Sequence, residues 1–191
     1  MSSLPAEKEE RLFTYKDYVE WDLKEGERYE LIHGVAYAMS SPNERHQAVL
    51  GAMFYQFYNL LLSNPCKVYP APFDVRLFYE EDSSDDTVVQ PDIIVICGKE
   101  KIGPEGCRGA PDLVIEILSP SNSAIEMEKK LQLYQEAGVR EYWVVNPVHN
   151  GLAAYLFSNG AMSITQYKSK GKVPVAVLDG LEINLDQVFA E

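Results

Sequence analysis

Two short apolar runs, each opened by the dipeptide Pro-Asp, constrain the fold of this chain more than any other feature. They cover residues 91–96 and 111–118 and consist largely of isoleucine, valine and leucine. Runs of this length and composition are typical of central strands buried on both faces. A helix is predicted over 124–137, ended by Gly138, and a further strand over 140–146. This order predicts an α/β domain whose sheet contains a crossover helix.

The segments around this unit predict further helices and strands. Residues 1–10 are expected to form a mobile N-terminal arm, and residues 11–191 a single domain. The other predicted elements are a helix over 15–21, a strand over 28–39 with a turn at His33-Gly34, a helix from Glu44 to about Ser63, a strand over 68–79, a hairpin over 151–167 and a β-rich tail over 173–191. The long helix is expected to bury Val49, Met53, Phe57, Leu60 and Leu61.

The charge of the chain limits the partners it can hold. The 191 residues include 17 Lys and Arg against 29 Asp and Glu, which gives a formal net charge of -12. This acidity argues against a protein that coats nucleic acid, because non-specific binding depends on Lys and Arg neutralising phosphates. Two acidic clusters, at 80–82 and 85–86, are expected to lie in a solvated loop. The apolar fraction of 46% excludes wholesale disorder.

The cysteines and the apolar runs bear on the cellular compartment. Cys66, Cys97 and Cys107 are odd in number and form no CxxC pair. We therefore expect neither a disulfide framework nor a cysteine zinc site. No apolar run approaches the ~18 residues of a membrane span, and the polar first residues lack the apolar core of a secretory signal. We expect a reduced, cytoplasmic protein that does not bind membranes.

Glu116 is a carboxylate inside an apolar strand, where its burial is costly unless it is paired or metal-bound. It could instead lie at the end of the strand or pair with a buried arginine.

Asp92 could converge with Glu116 at one sheet edge if the two strands pair, or it could be a solvated turn residue. Adjacent carboxylates repel unless protonated or bridged by a cation, so a divalent metal is their natural partner. Asp112 is about 13 Å from Glu116 at ~3.3 Å per residue, too far to share one ion.

The predicted helix over 124–137 places one of two adjacent lysines beside these acids. On a helical wheel of ~100° per residue, its buried stripe consists of Ala124, Met127, Leu131 and Tyr134. Lys130 lies at the flank of this stripe and can direct its amine over the sheet edge. Lys129 is predicted to point to water, away from the acids. The alternative for Lys130 is a snorkelling side chain with no part in the chemistry.

A resemblance to a known family runs in order along residues 12–190. It is carried by the segments RYELIHG, VVQPDIIVI, GAPDLVIEILSPSN, EKKLQLYQEAGVREYWVVNP and GLEINLDQVF. These segments resemble a bacterial family of uncharacterised restriction-endonuclease-like proteins in the PD-(D/E)XK nuclease superfamily. The resemblance implies an α/β fold with a restriction-endonuclease-like core, a mixed β-sheet flanked by helices, and a β-rich C-terminal extension.

The resemblance also implies roles for individual residues. The two acids of the superfamily fall on Asp92 and Glu116. The superfamily lysine should lie two residues beyond the second acid, where this chain has Leu118. In the family this lysine is on the following helix, which points to Lys130. Glu30 matches an acidic position that completes the site.

Three further positions are compared with the family in the same way. His46 matches a histidine often found at the start of the long helix. The family commonly has Asp where this chain has His33 and Asn146. We expect the change at Asn146 to affect a turn more than the chemistry, and the role of His33 is left open.

The predicted function is metal-dependent hydrolysis of DNA phosphodiester bonds. Asp92 and Glu116 are expected to hold Mg²⁺ or Mn²⁺ with the carbonyl of Ile117, and Lys130 and Glu30 complete the catalytic set. Two other functions stay open: a catalytically silent oligomeric interaction module of the same fold, and a metal-dependent hydrolase of another phosphoester. We expect DNA as the partner despite the acidity, and a homodimer.

Overall fold

The computed structural model describes residues 12–119 and 124–190, and the predicted arm over residues 1–10 lies outside them. The helices are α1 (Tyr15–Tyr18), α2 (Glu44–Leu61), α3 (Ala124–Ala137) and α4 (Leu185–Val188), with a 3₁₀ turn at Lys99–Lys101. The strands are β1 (Tyr29–Ile32), β2 (Val35–Ala38), β3 (Lys67–Pro70), β4 (Val75–Arg76), β5 (Val88–Val89), β6 (Ile93–Ile96), β7 (Ile102–Gly103), β8 (Gly106–Arg108), β9 (Leu113–Ile117), β10 (Glu141–Asn146), β11 (Gly151–Ser158), β12 (Ala161–Tyr167), β13 (Lys172–Pro174) and β14 (Glu182–Asn184). None of the helices in the described ranges is long and apolar enough to cross a membrane.

The two Pro-Asp runs form adjacent central strands of a six-stranded sheet ordered β12-β11-β10-β9-β6-β3. β6 pairs antiparallel with β9, and β9 pairs parallel with β10 on its other side. Helix α3 connects β9 to β10 and forms the predicted crossover. Every residue of β6 and β9 is buried, which confirms the prediction of strands covered on both faces.

Helices cover both faces of this sheet. On one face, α2 and α4 pack over the alternate strand residues Ile93, Val95, Leu113 and Ile115. On the other face, α3 packs over Ile94, Ile96 and Val114. The predicted stripe of α2 is buried except for Leu60, which is 38% exposed. Leu60 departs from the prediction because it lies about 100° around the helix from Leu61, which faces the sheet.

A second six-stranded sheet, ordered β2-β1-β5-β4-β8-β7, lies next to the first. Its β1 and β2 form a hairpin whose turn residues, His33 and Gly34, have φ values of 49° and 77°. These left-handed values are those that a two-residue type I′ turn requires. The chain leaves this sheet at β5 and enters β6 of the first sheet through residues 90–92. The two sheets are therefore joined directly beside Asp92.

The C-terminal part of the chain is β-rich, as predicted. β11 and β12 form a hairpin around Asn159 and Gly160, and β13 and β14 form a two-stranded sheet that leads into α4. The single strand predicted over 68–79 is instead two strands, β3 and β4, which belong to different sheets. Pro72 and its cis peptide bond lie between them, where a residue without an N–H cannot continue the ladder.

The expectation of reduced cysteines is wrong for two of the three. Cys66 and Cys97 form a disulfide. β3 pairs antiparallel with β6, and the register that sets Lys67 opposite Ile96 also sets the two cysteines opposite each other. Because the two cysteines are 31 positions apart in the chain, their proximity could not be predicted from the sequence. Cys107 is free and buried.

The acidic loop is more firmly anchored than its composition indicates. Asp85 is buried, and its carboxylate pairs with the buried guanidinium of Arg76. That guanidinium also lies over the rings of Tyr15 and Tyr79, 3.9 and 4.4 Å from their centroids. The prediction of a fully solvated loop is therefore wrong at Asp85, because a buried cation from β4 compensates its charge.

Candidate active site

Four of the predicted site residues converge where the two sheets meet. Lys130 on α3 donates from Nζ to Oε1 of Glu116 on β9 at 2.8 Å, and to Oε1 of Glu30 on β1 at 3.1 Å. Asp92 immediately precedes β6, and the register of β6 against β9 sets it opposite Glu116. Side chains from both sheets and from the crossover helix therefore surround one point.

Asp92 is held from two sides through the same oxygen. Its Oδ2 accepts the backbone N–H of Ile117 at 2.7 Å and lies 3.2 Å from Nε2 of His46. His46 is buried in the first turn of α2, where the side chain of Asn43 caps the helix by accepting the His46 N–H at 2.9 Å. The helix cap thus fixes the histidine, and the histidine helps to fix Asp92.

Glu116 has a second partner on α3 besides the lysine. The hydroxyl of Tyr134 donates to Oε1 of Glu116 at 2.6 Å. Tyr134 follows Lys130 by four residues, so both side chains leave the same face of the helix. The sequence interpretation assigned Tyr134 to the buried stripe and missed this bond, although the spacing of four from Lys130 was the signal for it. Glu30 is held in a similar way by the backbone N–H of Gln90, at 3.1 Å.

Glu30, Asp92, Glu116 and Lys130 line one pocket with a volume of about 380 Å³. In the described parts of the chain, hydrogen bonds reach Oδ2 of Asp92 and Oε1 of Glu116, but none reaches their other carboxylate oxygens. One oxygen of each acid is therefore open to a ligand. Lys129 is exposed, as predicted, yet it lines the same pocket.

Residues 15–186 match the profile of the Uma2 family, which is described as "Putative restriction endonuclease". The chain belongs to the Uma2 family. The matched range runs from α1 into α4 and includes every residue that lines the pocket. The resemblance to restriction-endonuclease-like proteins is thereby confirmed.

Two other proteins are similar to this Uma2 protein. The chain is 22% identical over 176 residues to "Uncharacterized protein slr1290" of Synechocystis sp. (strain ATCC 27184 / PCC 6803 / Kazusa), covering 91% of this chain and 90% of that protein. It is similar in structure to a "putative nuclease belonging to DUF820" from Anabaena variabilis ATCC 29413, with a TM-score of 0.72 and 19% identity over 93% of this chain and 98% of the other. The structural likeness confirms the fold, in which mixed sheets are flanked by helices.

Three other polar residues singled out in the sequence lie outside the pocket. Oδ1 of Asp112 lies 2.6 Å from the guanidinium of Arg140. This ion pair links the start of β9 to the start of β10. His33 forms part of the β1–β2 turn. The side chain of Asn146 accepts the backbone N–H groups of residues 148 and 149 at 3.0 Å each. Asn146 therefore stabilises a turn, as expected.

The ionisation of the site follows from burial and from the neighbouring charges. Burial raises the pKa of Glu116 to about 7; Lys130 opposes this, and the negative charges of Glu30 and Asp92 add to it. Burial lowers the pKa of Lys130, but Glu116 and Glu30 outweigh it and hold that pKa above its usual value. Burial also lowers the pKa of His46, and the hydrogen bond with Asp92 reverses the direction. Perturbed groups in one cleft are typical of functional sites.

The donor set in the pocket fits a hard divalent cation that keeps much of its water. Within residues 12–119 and 124–190, no three His, Cys, Asp or Glu side chains are grouped so as to hold a metal. An all-protein cage is therefore not formed by these residues. Mg²⁺ is commonly bound by one or two carboxylates together with several waters. The open oxygens of Asp92 and Glu116 match that requirement.

Proposed function

We propose that this Uma2 protein is a metal-dependent endonuclease that hydrolyses DNA phosphodiester bonds in the pocket between the two sheets. The observation that supports the proposal best is the position of Lys130, whose Nζ is shared by Glu116 and Glu30 beside a third acid, Asp92. A structural ion pair needs one acid for one lysine. When all three acids are ionised, Lys130 together with His46 beside Asp92 leaves excess negative charge in the pocket, which a divalent cation would balance.

Asp92 and Glu116 would hold the ion, Mg²⁺ or Mn²⁺, with the carbonyl of Ile117 as a third protein ligand. When bound, the ion would polarise a phosphoryl oxygen and lower the pKa of an attacking water. His46 and the N–H of Ile117 hold Asp92 by one oxygen, and Tyr134 holds Glu116 by one oxygen. Because these hydrogen bonds fix one oxygen of each acid, the orientation of its second oxygen is fixed as well.

Lys130 supplies the positive charge that contacts Glu116 and Glu30. Its raised pKa keeps it protonated at neutral pH, so it can stabilise the negative charge that develops on a phosphoryl group in the transition state. Glu30 accepts a hydrogen bond from Lys130. It would position the ammonium group of Lys130, or a water molecule, beside the phosphate. Because the ammonium is already oriented by two carboxylates, little reorganisation is needed during the reaction.

A plasmid-nicking assay with Mg²⁺ or Mn²⁺ tests this proposal. The wild type is compared with Glu116→Gln and Lys130→Ala, and with Lys168→Ala as a matched control, since Lys168 is exposed and does not line the pocket. We expect both site variants to lose at least a hundredfold in rate, and the control to keep the wild-type rate. Equal activity of the wild type and both site variants would refute the assignment.

A second candidate function is a catalytically silent, oligomeric interaction module. It is favoured by the net charge of -12, which opposes binding to the phosphates of nucleic acid. Calorimetry with Mn²⁺ separates the two candidates, because the enzyme requires metal binding that Glu116→Gln abolishes, whereas the module requires none. Light scattering on the same sample tests the proposed homodimer. Hydrolysis of bis(p-nitrophenyl) phosphate without cleavage of DNA would instead support a hydrolase of another phosphoester.

A further inference from the structure

We propose that the pocket accepts one nucleotide of single-stranded DNA in preference to a phosphodiester within an intact duplex; this inference rests on the proposed nuclease function. The first observation is the depth of the acids. Glu30 and Glu116 are 5% and 9% exposed, so a phosphate must enter the pocket to approach them. A ligand that stays on the outer surface cannot reach these carboxylates.

The size of the pocket decides what can enter. Its volume of about 380 Å³ lies near the lower end of the ~300–1,000 Å³ found for pockets that enclose one small molecule. A B-form duplex, whose major groove alone is ~12 Å wide, cannot enter a space of that size as a whole, so a duplex can present a backbone phosphate at the opening only with its bases left outside. A single strand can insert one nucleotide, whereas a paired nucleotide must first be unstacked and unpaired at a cost of a few kcal/mol.

An exposed aromatic ring stands beside the acids. Tyr37 on β2 is directly opposite Glu30 in the register of the β1–β2 hairpin, so the two side chains lie on the same face of the sheet. Tyr37 lines the pocket and is 41% exposed. Proteins that bind single strands stack bases on such rings. Met39, Leu50 and Met127 also line the pocket and would complete an apolar wall for a base.

Two cations at the pocket are not used by the protein itself. Arg28 and Lys129 line the pocket, and neither forms an ion pair within the described residues. The charge of Lys130, in contrast, is already shared by two carboxylates. A protein that makes ~6–10 phosphate contacts to a duplex needs as many cations, so two cations without an ion-pair partner in the described ranges suit a short stretch of single strand better.

Fluorescence anisotropy in Ca²⁺, an oxygen-liganded divalent cation, tests the inference with a labelled 12-nucleotide single strand and its duplex. We expect the single strand to bind at least tenfold more tightly. Tyr37→Ala should weaken single-strand binding about tenfold through lost stacking. The matched control is Tyr55→Ala, since Tyr55 is 68% exposed on α2 and does not line the pocket; it should bind like the wild type.

The same probe tests the cations. Arg28→Ala should reduce the slope of log K against log salt by about 0.7 for the single strand, and Lys168→Ala should leave it unchanged. Equal or tighter binding of the duplex, or no effect of Tyr37→Ala, would overturn the inference. Faster hydrolysis of the duplex than of the single strand would overturn it too, while leaving the proposed nuclease intact. Preferential binding of the single strand without hydrolysis of either probe would support the pocket assignment and refute the nuclease.

Discussion

Replacing Lys130 with methionine leaves Glu30 and Glu116 facing each other without the cation that both now contact, at 3.1 and 2.8 Å. Removing one partner of a buried ion pair typically costs about 3–5 kcal/mol of folding free energy, because the other charge stays buried and uncompensated. We expect Lys130→Met to lose stability of this order at pH 8, where Glu116 must be ionised in the wild type.

The cost should depend on pH in a defined direction. The pKa of Glu116 is raised to about 7 in the folded protein, mainly by burial, and Lys130 is the neighbour that lowers it. A carboxyl group with a raised folded-state pKa loses stability as the pH rises from its unfolded to its folded pKa. Without Lys130 that pKa rises further, so the loss continues above pH 7. The difference between wild type and variant should therefore grow from pH 5.5 to pH 8.

Urea denaturation at these two pH values measures the effect. Lys129→Met is the matched control, because it removes the same charge from the neighbouring exposed position and surface changes are usually within ±0.5 kcal/mol. Adding Glu116→Gln to Lys130→Met should recover part of the loss at pH 8, since one of the two uncompensated charges is then gone and that of Glu30 remains. The reasoning is refuted if Lys130→Met is no less stable than Lys129→Met at pH 8, or if its cost is the same at both pH values.

Three further outcomes can be measured. Mn²⁺ affinity should fall about tenfold per pH unit below pH 7, because the ion must displace the proton of Glu116; titration calorimetry between pH 5.5 and 8 checks this, and a flat profile would contradict it. His46→Gln should cost more stability at pH 6 than at pH 9 in thermal melts, because a raised histidine pKa stabilises the fold at low pH and that contribution is lost as the pH rises through it. Reduction of the Cys66–Cys97 disulfide should cost about 3–4 kcal/mol for the loop it closes; a chemical-denaturation midpoint that dithiothreitol does not change would argue against the bridge.

The convergence of Asp92 and Glu116 could be predicted because local pattern and pairing act together there. Both acids belong to apolar runs that are too short for helices, and neighbouring buried strands bring residues near their ends together. Lys130 followed from helical periodicity, since the buried stripe of α3 determines which flank meets the sheet. The place of Glu30 in the site could be predicted only from the family resemblance. Its strand lies in the other sheet, and no local sequence pattern indicates how the two sheets are joined.

What the sequence could not reveal depends on contacts between distant segments. Tyr37 and Lys129 line the same pocket, but one belongs to the hairpin of the second sheet and the other to the crossover helix. The Cys66–Cys97 disulfide depends on the register of β3 against β6, and a shift of one residue would turn one cysteine to the opposite face. Such arrangements follow from packing between sheets, for which periodicity along one segment carries no information.

The net charge of -12 argues against a nucleic-acid partner. How strongly it opposes binding depends on the number of phosphates that the protein must neutralise. With two phosphate contacts, from Arg28 and Lys129, the salt slope for a single strand should be about -1.4, so affinity should fall only about sevenfold between 50 and 200 mM salt. A duplex held by 6–10 contacts would lose about 10³–10⁵ over the same range. The net charge opposes the second kind of binding more than the first, because the proposed stacking on Tyr37 and the proposed metal-bound phosphate would not depend on surface charge. The acidity therefore favours a single-stranded substrate over a duplex rather than excluding DNA.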